Sequence, residues 1–331
     1  MNPKTLFSLI VFAVGASACS TVDSIRTSDE SKRATAQTTA FWDDYFKLHP
    51  QTLVSSSPQE LTDLVAEWNK TDHYNGHPAP DENYSEVSGD IEAALKQIPK
   101  SVFDLMKNKF FGVFVARDLG CTALGITIYD GLDHPTGGLI LVDAKRIHQT
   151  ANGWQTEHQN LFFDIKKGKL EGTIASQKAN THITALRWIL SHELGHLISG
   201  FYPNLNDFRT LSWLPGSSEQ PLSRFEDNFP HRPEIQNVRA GAKLFREDDF
   251  LPIYHGLEQT NFPTLYAAAN RFEDFSESLA AYIDVVIYHE PYKVKYTLNG
   301  KLKKTFESCF VKKTCPDKMD YFKKLLTVHE L

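Results

Sequence analysis

Long apolar runs are what this chain lacks most clearly. No stretch of about 18 or more apolar residues occurs, so no helix is obliged to span a bilayer. Four cysteines in 331 residues exclude a disulfide-dense scaffold. Eighteen glycines and 16 prolines are too few for a collagen-like or low-complexity chain. Positive charge is not in surplus either. Lys+Arg total 35 against 41 Asp+Glu, a net charge of -6, and nothing in that balance favours a nucleic-acid partner. The remainder is ordinary globular composition, 41% hydrophobic and 23% charged, with ample chain for a buried core.

The first 18 residues read as an address. Lys4 is their only charge, an apolar run follows over 6–15, and Ala16-Ser17-Ala18-Cys19 closes the segment with small residues. A basic start, a short apolar core and a small-residue end describe a secretory signal. Two cleavage readings stand side by side. Ala16-Ser17-Ala18 fits a simple signal peptide. Cys19 directly after it resembles a bacterial lipoprotein box, with Ala16 where leucine is usual, and makes Cys19 the candidate lipidation site. Either way the expectation is export from a bacterial cytoplasm, lipid-anchored in one case and periplasmic or secreted in the other. Residues 19–40 are mostly Ser, Thr, Asp, Lys, Arg and Ala and read as a flexible tether.

Order is expected from about Phe41-Trp42. Ser57-Pro58-Gln59-Glu60 supplies a cap, a first-turn proline and a glutamate three residues after the cap, predicting a helix over 58–70. Residues 71–90 read as loop, and 91–107 as helix interrupted by Pro99. Strand signals lie at 110–116, 123–129 and 138–142, with a weaker one at 161–165. Residues 183–199 are the most helical segment, apolar nearly all round and therefore buried, with Gly200 as a stop. The stretch 201–233 is irregular but too aromatic for a linker. A second buried helix is expected over 270–289, a hairpin turning at Asn299-Gly300 over 292–306, and a last helix over 317–328. Strands before a central helix suggest an α+β lobe.

His192-Glu193-Leu194-Gly195-His196 is the sharpest feature. Residues four apart share a helix face, so two imidazoles at that spacing can grip one metal ion. Glu193 sits too far round to bind the ion but can take a proton from a water on its open position. Ionisable groups inside an apolar helix are costly without a purpose, and a zinc ion supplies one. Zinc with three protein ligands needs a third. A further histidine six residues on is excluded, because Tyr202 stands there. A glutamate from the second helix is the other solution. In Arg271-Phe272-Glu273-Asp274-Phe275-Ser276-Glu277, Glu273 can ligate while Glu277, on the same face, accepts a hydrogen bond from a ligand histidine. Asp274 and Glu277 remain alternative ligands.

These two segments together resemble the gluzincin metallopeptidases. The acidic pair, the aromatic after it and the Glu-x-x-x-Glu spacing are most similar to the branch containing the anthrax lethal factor catalytic domain. The resemblance covers roughly 95–290. It implies a zincin-like α+β fold with a small mixed sheet, a buried helix carrying the two histidines and a second, glutamate-bearing helix. The division it implies is signal 1–18, tether 19–40, metallopeptidase domain 41–290, and a basic hairpin and helix over 291–331. It further implies a donor over the zinc that stabilises the oxyanion. Tyr266, seven residues before Glu273, has the matching offset, with His255 beside Tyr254 as runner-up and His231 third. Residues 138–142 are the candidate edge strand for an extended substrate. The activity implied is hydrolysis of peptide bonds outside the cytoplasm, with one zinc ion and a peptide or protein substrate. A catalytically silent binding protein of the same fold and a zinc hydrolase of cell-wall amides are the rivals. An intact Glu193 argues against the first.

Cys309 and Cys315 enclose five residues, and in an exported chain they are expected to form a local disulfide, leaving Cys121 a buried free thiol. Residues 292–331 carry ten lysines against four acidic residues, which reads first as a solvated surface and second as contact with an anionic membrane or polymer.

Overall fold

The computed structural model describes residues 34–71, 74, 76–106, 108–202, 206–212 and 245–327. The signal, residues 19–33 of the tether, His231 and most of the aromatic stretch lie outside the described residues.

A mixed sheet forms the first layer. Strands β1 (Val54–Ser56), β3 (Phe110–Arg117), β5 (Pro135–Asp143) and β4 (Ala123–Tyr129) lie side by side in that order, with the short β2 (Ala79–Pro80) also on β3. β1, β3 and β5 run parallel, and β4 runs antiparallel to β5. Alternation along the strands splits two cores. Val113, Val115, Ile140 and Val142 face the main core. Phe114, Leu124, Ile126, Leu139 and Leu141 face a second one, filled by Trp42 from helix α1 (Thr39–Leu48) and Leu61 and Val65 from α2 (Gln59–Thr71). That second face explains why order begins before Phe41. Ala36 and Gln37 are buried, the Trp42 indole donates to the Ala36 carbonyl at 2.9 Å, and Thr38 caps α1. Residues 34–40 are therefore packed structure rather than tether.

Helices α3 (Ser85–Leu95), α4 (Lys100–Leu105), α5 (Ala151–Phe162) and α6 (His182–Phe201) build the layer beneath. α3 starts inside the segment expected to be loop. α5 covers part of the weak strand signal at 161–165, of which only β6 (Phe163–Asp164) is strand. Thr181 caps α6 by accepting from the Thr184 N–H, and every residue from Thr184 to Ser199 is buried. The helix is walled by α3, α5, β4, β5 and the helix Arg271–Ala281. It does not stop at Gly200 but runs to Phe201, with Tyr202 as its cap.

The second expected helix is α-helical over Arg271–Ala281 and continues as a π-helical turn, Tyr282–Ile287. Two buried ion pairs brace it. On the π turn, Asp284 accepts from the Arg187 guanidinium of α6 at 2.8 Å, and burial pushes the Asp284 carboxyl up to about 6 against that pull. In the first turn, Asp274 is bonded by Lys318 of the C-terminal helix Pro316–Thr327, both fully buried, with the ammonium 5.0 Å from the ring centres of Phe208 and Phe262. Burial lowers the Lys318 pKa while Asp274 opposes the shift. Removing one partner from such a pair typically costs about 3–5 kcal/mol.

Residues 291–327 share the main core rather than standing apart from it. β8 (Lys293–Leu298) pairs with β9 (Lys301–Glu307) across the Asn299-Gly300 turn, where both residues have positive φ, and also with β7 (Gly168–Thr173). Tyr292, Phe306, Phe310 and Phe322 belong to the main hydrophobic cluster. Cys309 and Cys315 are joined as a disulfide. Cys121 is not the expected free thiol. It too is disulfide-bonded.

Candidate metal centre

Three side chains converge where α6 crosses the glutamate helix. Asn270 caps that helix, its side-chain oxygen accepting from the Phe272 and Glu273 N–H groups at 2.9 and 3.0 Å, which fixes the turn that carries Glu273. Gly195, inside the histidine motif, lets the helices approach. A Cβ there would stand 2.6 Å from the Ser276 Cα, closer than packed atoms tolerate.

The result is a compact triangle. His192 Nε2 and His196 Nε2 are 3.0 Å apart, and Glu273 Oε2 lies 3.3 and 3.2 Å from them. Ligands about 2.0–2.1 Å from a tetrahedral ion are separated by roughly 3.3–3.4 Å, so the triangle has the right size for one zinc ion. Hydrogen bonding alone accounts for it poorly. His192 Nδ1 faces Glu277 Oε1 at 2.9 Å, and because a carboxylate only accepts, Nδ1 carries a proton, which leaves Nε2 as the ring nitrogen available to a metal ion. Both oxygens of Glu273 are buried without a hydrogen-bond partner, a costly state for a carboxylate unless a cation sits against it. His192, His196 and Glu273 are the group among the described residues whose donor atoms fit a metal ion.

Charge follows the same logic. Burial alone would raise the Glu273 pKa, but the His196 and His192 imidazoles override it and hold the carboxylate far below its usual range. Burial disfavours protonated His192, yet Glu273 and Glu277 outweigh it and hold the ring well above an ordinary histidine.

Glu193 points beside this triangle. Its Oε2 accepts from the Gly125 N–H of β4 at 2.7 Å. Gly125 is an enforced glycine, since a Cβ there would meet the Glu193 carbonyl oxygen at 2.9 Å. Burial raises the Glu193 pKa, with the two histidines pulling it back.

The other sequence candidates sort cleanly. Glu277 is bonded to His192 Nδ1 and Asp274 to Lys318, so both carboxylates are engaged outside the triangle. Tyr266 is buried with its ring stacked on His192, centroids 5.9 Å apart and planes at 21°. Tyr254 instead bonds Gln159 in the core, and His255 is exposed on the helix Phe250–Leu257, which removes that pair from the centre. The expected edge strand is also corrected. Residues 138–142 sit in β5, interior between β3 and β4, and the outer strand is β4. Its last residue, Tyr129, bridges to Thr38.

Sequence reasoning missed His158 of α5. It is stacked on Trp154 and edge-on to Tyr266, and burial lowers its pKa to about 4. It missed Gly125 as well, although a lone glycine within an apolar strand is a recognisable sign of close backbone approach.

No protein-family model, curated protein or solved structure matches this chain.

Proposed function

We propose that the protein is a zinc-dependent peptidase of the gluzincin type. The observation that carries this reading is the buried triangle of His192, His196 and Glu273 with Glu193 alongside. Three protein ligands, rather than four, is the count of a catalytic zinc. The ion, when bound, supplies a Lewis acid that polarises a carbonyl and acidifies a water. Glu193 accepts the proton of the attacking water and returns it to the leaving nitrogen. The Gly125 N–H fixes one of its oxygens and so aims the other. Tyr266, stacked on His192, is the proposed donor to the developing oxyanion. An extended peptide is proposed to approach along β4, the outer strand that meets Glu193. The α+β layout and the two crossing helices support a zincin-like arrangement.

The purified mature protein, loaded with zinc, should cut an unfolded casein-type substrate. Chelation should abolish cleavage, and added zinc should restore it. Cleavage that persists after complete metal removal would overturn the reading, and cleavage of a cell-wall amide but of no peptide would favour the other hydrolase class.

Export with a lipid at Cys19 is the companion proposal, supported by the small residues that precede that cysteine. Cys19→Ala should shift the protein from the membrane fraction to the soluble fraction. Unchanged fractionation would sink the anchor in favour of a simple signal peptide.

A further inference from the structure

A chain of buried hydrogen bonds leads away from the metal centre through three other parts of the fold. His192 Nδ1 donates to Glu277 Oε1 at 2.9 Å. Glu277 Oε2 accepts from the Thr264 hydroxyl at 2.6 Å. The Tyr292 hydroxyl lies within hydrogen-bonding reach of Thr264. That hydroxyl accepts from the Gln155 side-chain amide of α5 at 2.9 Å. Glu277, Thr264, Tyr292 and Gln155 are all buried, Thr264 completely.

Donor arithmetic fixes the direction of every link. The Glu277 carboxylate only accepts, so the Thr264 proton goes to it. Thr264 Oγ1 then takes the Ala267 N–H at 3.0 Å and, with its second lone pair, the Tyr292 proton. Tyr292 is left with its oxygen for Gln155. The chain thus runs one way, from α5 to Glu277, and meets the His192 proton there. No member can reverse without stranding a buried polar group, which is costly.

We propose that Thr264 and Tyr292 are positioning residues for the metal centre, acting through Glu277 to hold the His192 ring with its Nε2 lone pair aimed at the ion. This rests on the metal-centre reading above. Glu277 alone cannot set the ring, because a carboxylate held at one oxygen can swing about its terminal bond. The second anchor, on a segment outside both crossing helices, locks the plane. The last link ties that anchor to Tyr292 at the start of the C-terminal hairpin, so a residue outside the triangle and outside both crossing helices contributes to the centre.

Zinc affinity by competition with a chromophoric chelator tests this, alongside the thermal midpoint of the metal-free protein. Partners that orient ligands typically contribute about 10–100-fold in metal affinity. Thr264→Val, which keeps the shape and loses the hydroxyl, should weaken zinc binding within that range. Thr264→Ser should restore it, and Tyr292→Phe should weaken it by a smaller factor. Wild-type affinity in Thr264→Val, or a serine variant as weak as the valine one, overturns the proposal. Should Thr264→Val not fold, Tyr292→Phe decides, and unchanged affinity there overturns it. A wild-type protein that binds no zinc removes the centre itself, whereas tight wild-type binding that is insensitive to both hydroxyls removes only the relay.

Discussion

Glu273→Gln should cost the protein its stoichiometric zinc and lower the thermal midpoint of the metal-free fold. The side chain is fully buried, with one oxygen 3.3 and 3.2 Å from the His192 and His196 nitrogens. In the metal-free protein those imidazoles hold the carboxylate far below its usual range, so at neutral pH its charge stabilises the fold. Glutamine removes that charge and its attraction to the two rings. It also removes the anionic ligand, and a neutral amide oxygen is a much poorer partner for zinc. Free zinc at about 1,000 times the dissociation constant stabilises a one-site protein by about 4 kcal/mol. Wild type should therefore gain a large rise in thermal midpoint on adding zinc, and Glu273→Gln almost none. Calorimetry of both forms, with and without zinc, gives four midpoints that check the claim. If the variant retains one tightly held zinc per chain, the third ligand lies elsewhere.

The same residues show how far the sequence carries. His192, His196, Glu273 and Glu277 were legible because helix periodicity is local. A separation of four places side chains on one face whatever the rest of the chain does. The hairpin at Asn299-Gly300 and the Cys309–Cys315 bond were legible for the same reason. What failed was long-range or polar. α5 gives no apolar stripe, because part of the face it buries is polar, with Gln155, His158 and Gln159 all inside. The composition of 138–142 suits an edge strand, yet β5 lies inside the sheet, because strand order depends on which strands pair. Residues 34–40 read as tether because Ala36 and Gln37 carry no sign that a second sheet face waits for cover. Thr264 is a lone threonine before a short 3-10 turn, and nothing nearby marks it as the anchor of Glu277.

The largest kinetic effect is expected at Glu193, and it separates an enzyme from a silent zinc-binding protein. Glu193→Gln changes no member of the triangle, so zinc should remain. The glutamine carbonyl oxygen can accept the Gly125 N–H as the carboxylate oxygen does, so the side chain keeps its orientation and the fold its close contact with β4. The amide also has no charge to bury, and since burial already disfavours the Glu193 carboxylate, stability should not fall. What is lost is the ability to take a proton. A positioned general base contributes about 10²–10⁴-fold, so turnover should fall by at least two decades while zinc content and thermal midpoint stay near wild type. The comparison must use zinc-loaded samples of both proteins on one peptide, with zinc measured in each, so that a fall in rate is not a fall in occupancy. Wild-type turnover in Glu193→Gln would remove Glu193 from the mechanism. Zinc bound by both proteins, peptide bound by both and cleavage by neither would mean that the triangle serves recognition rather than hydrolysis.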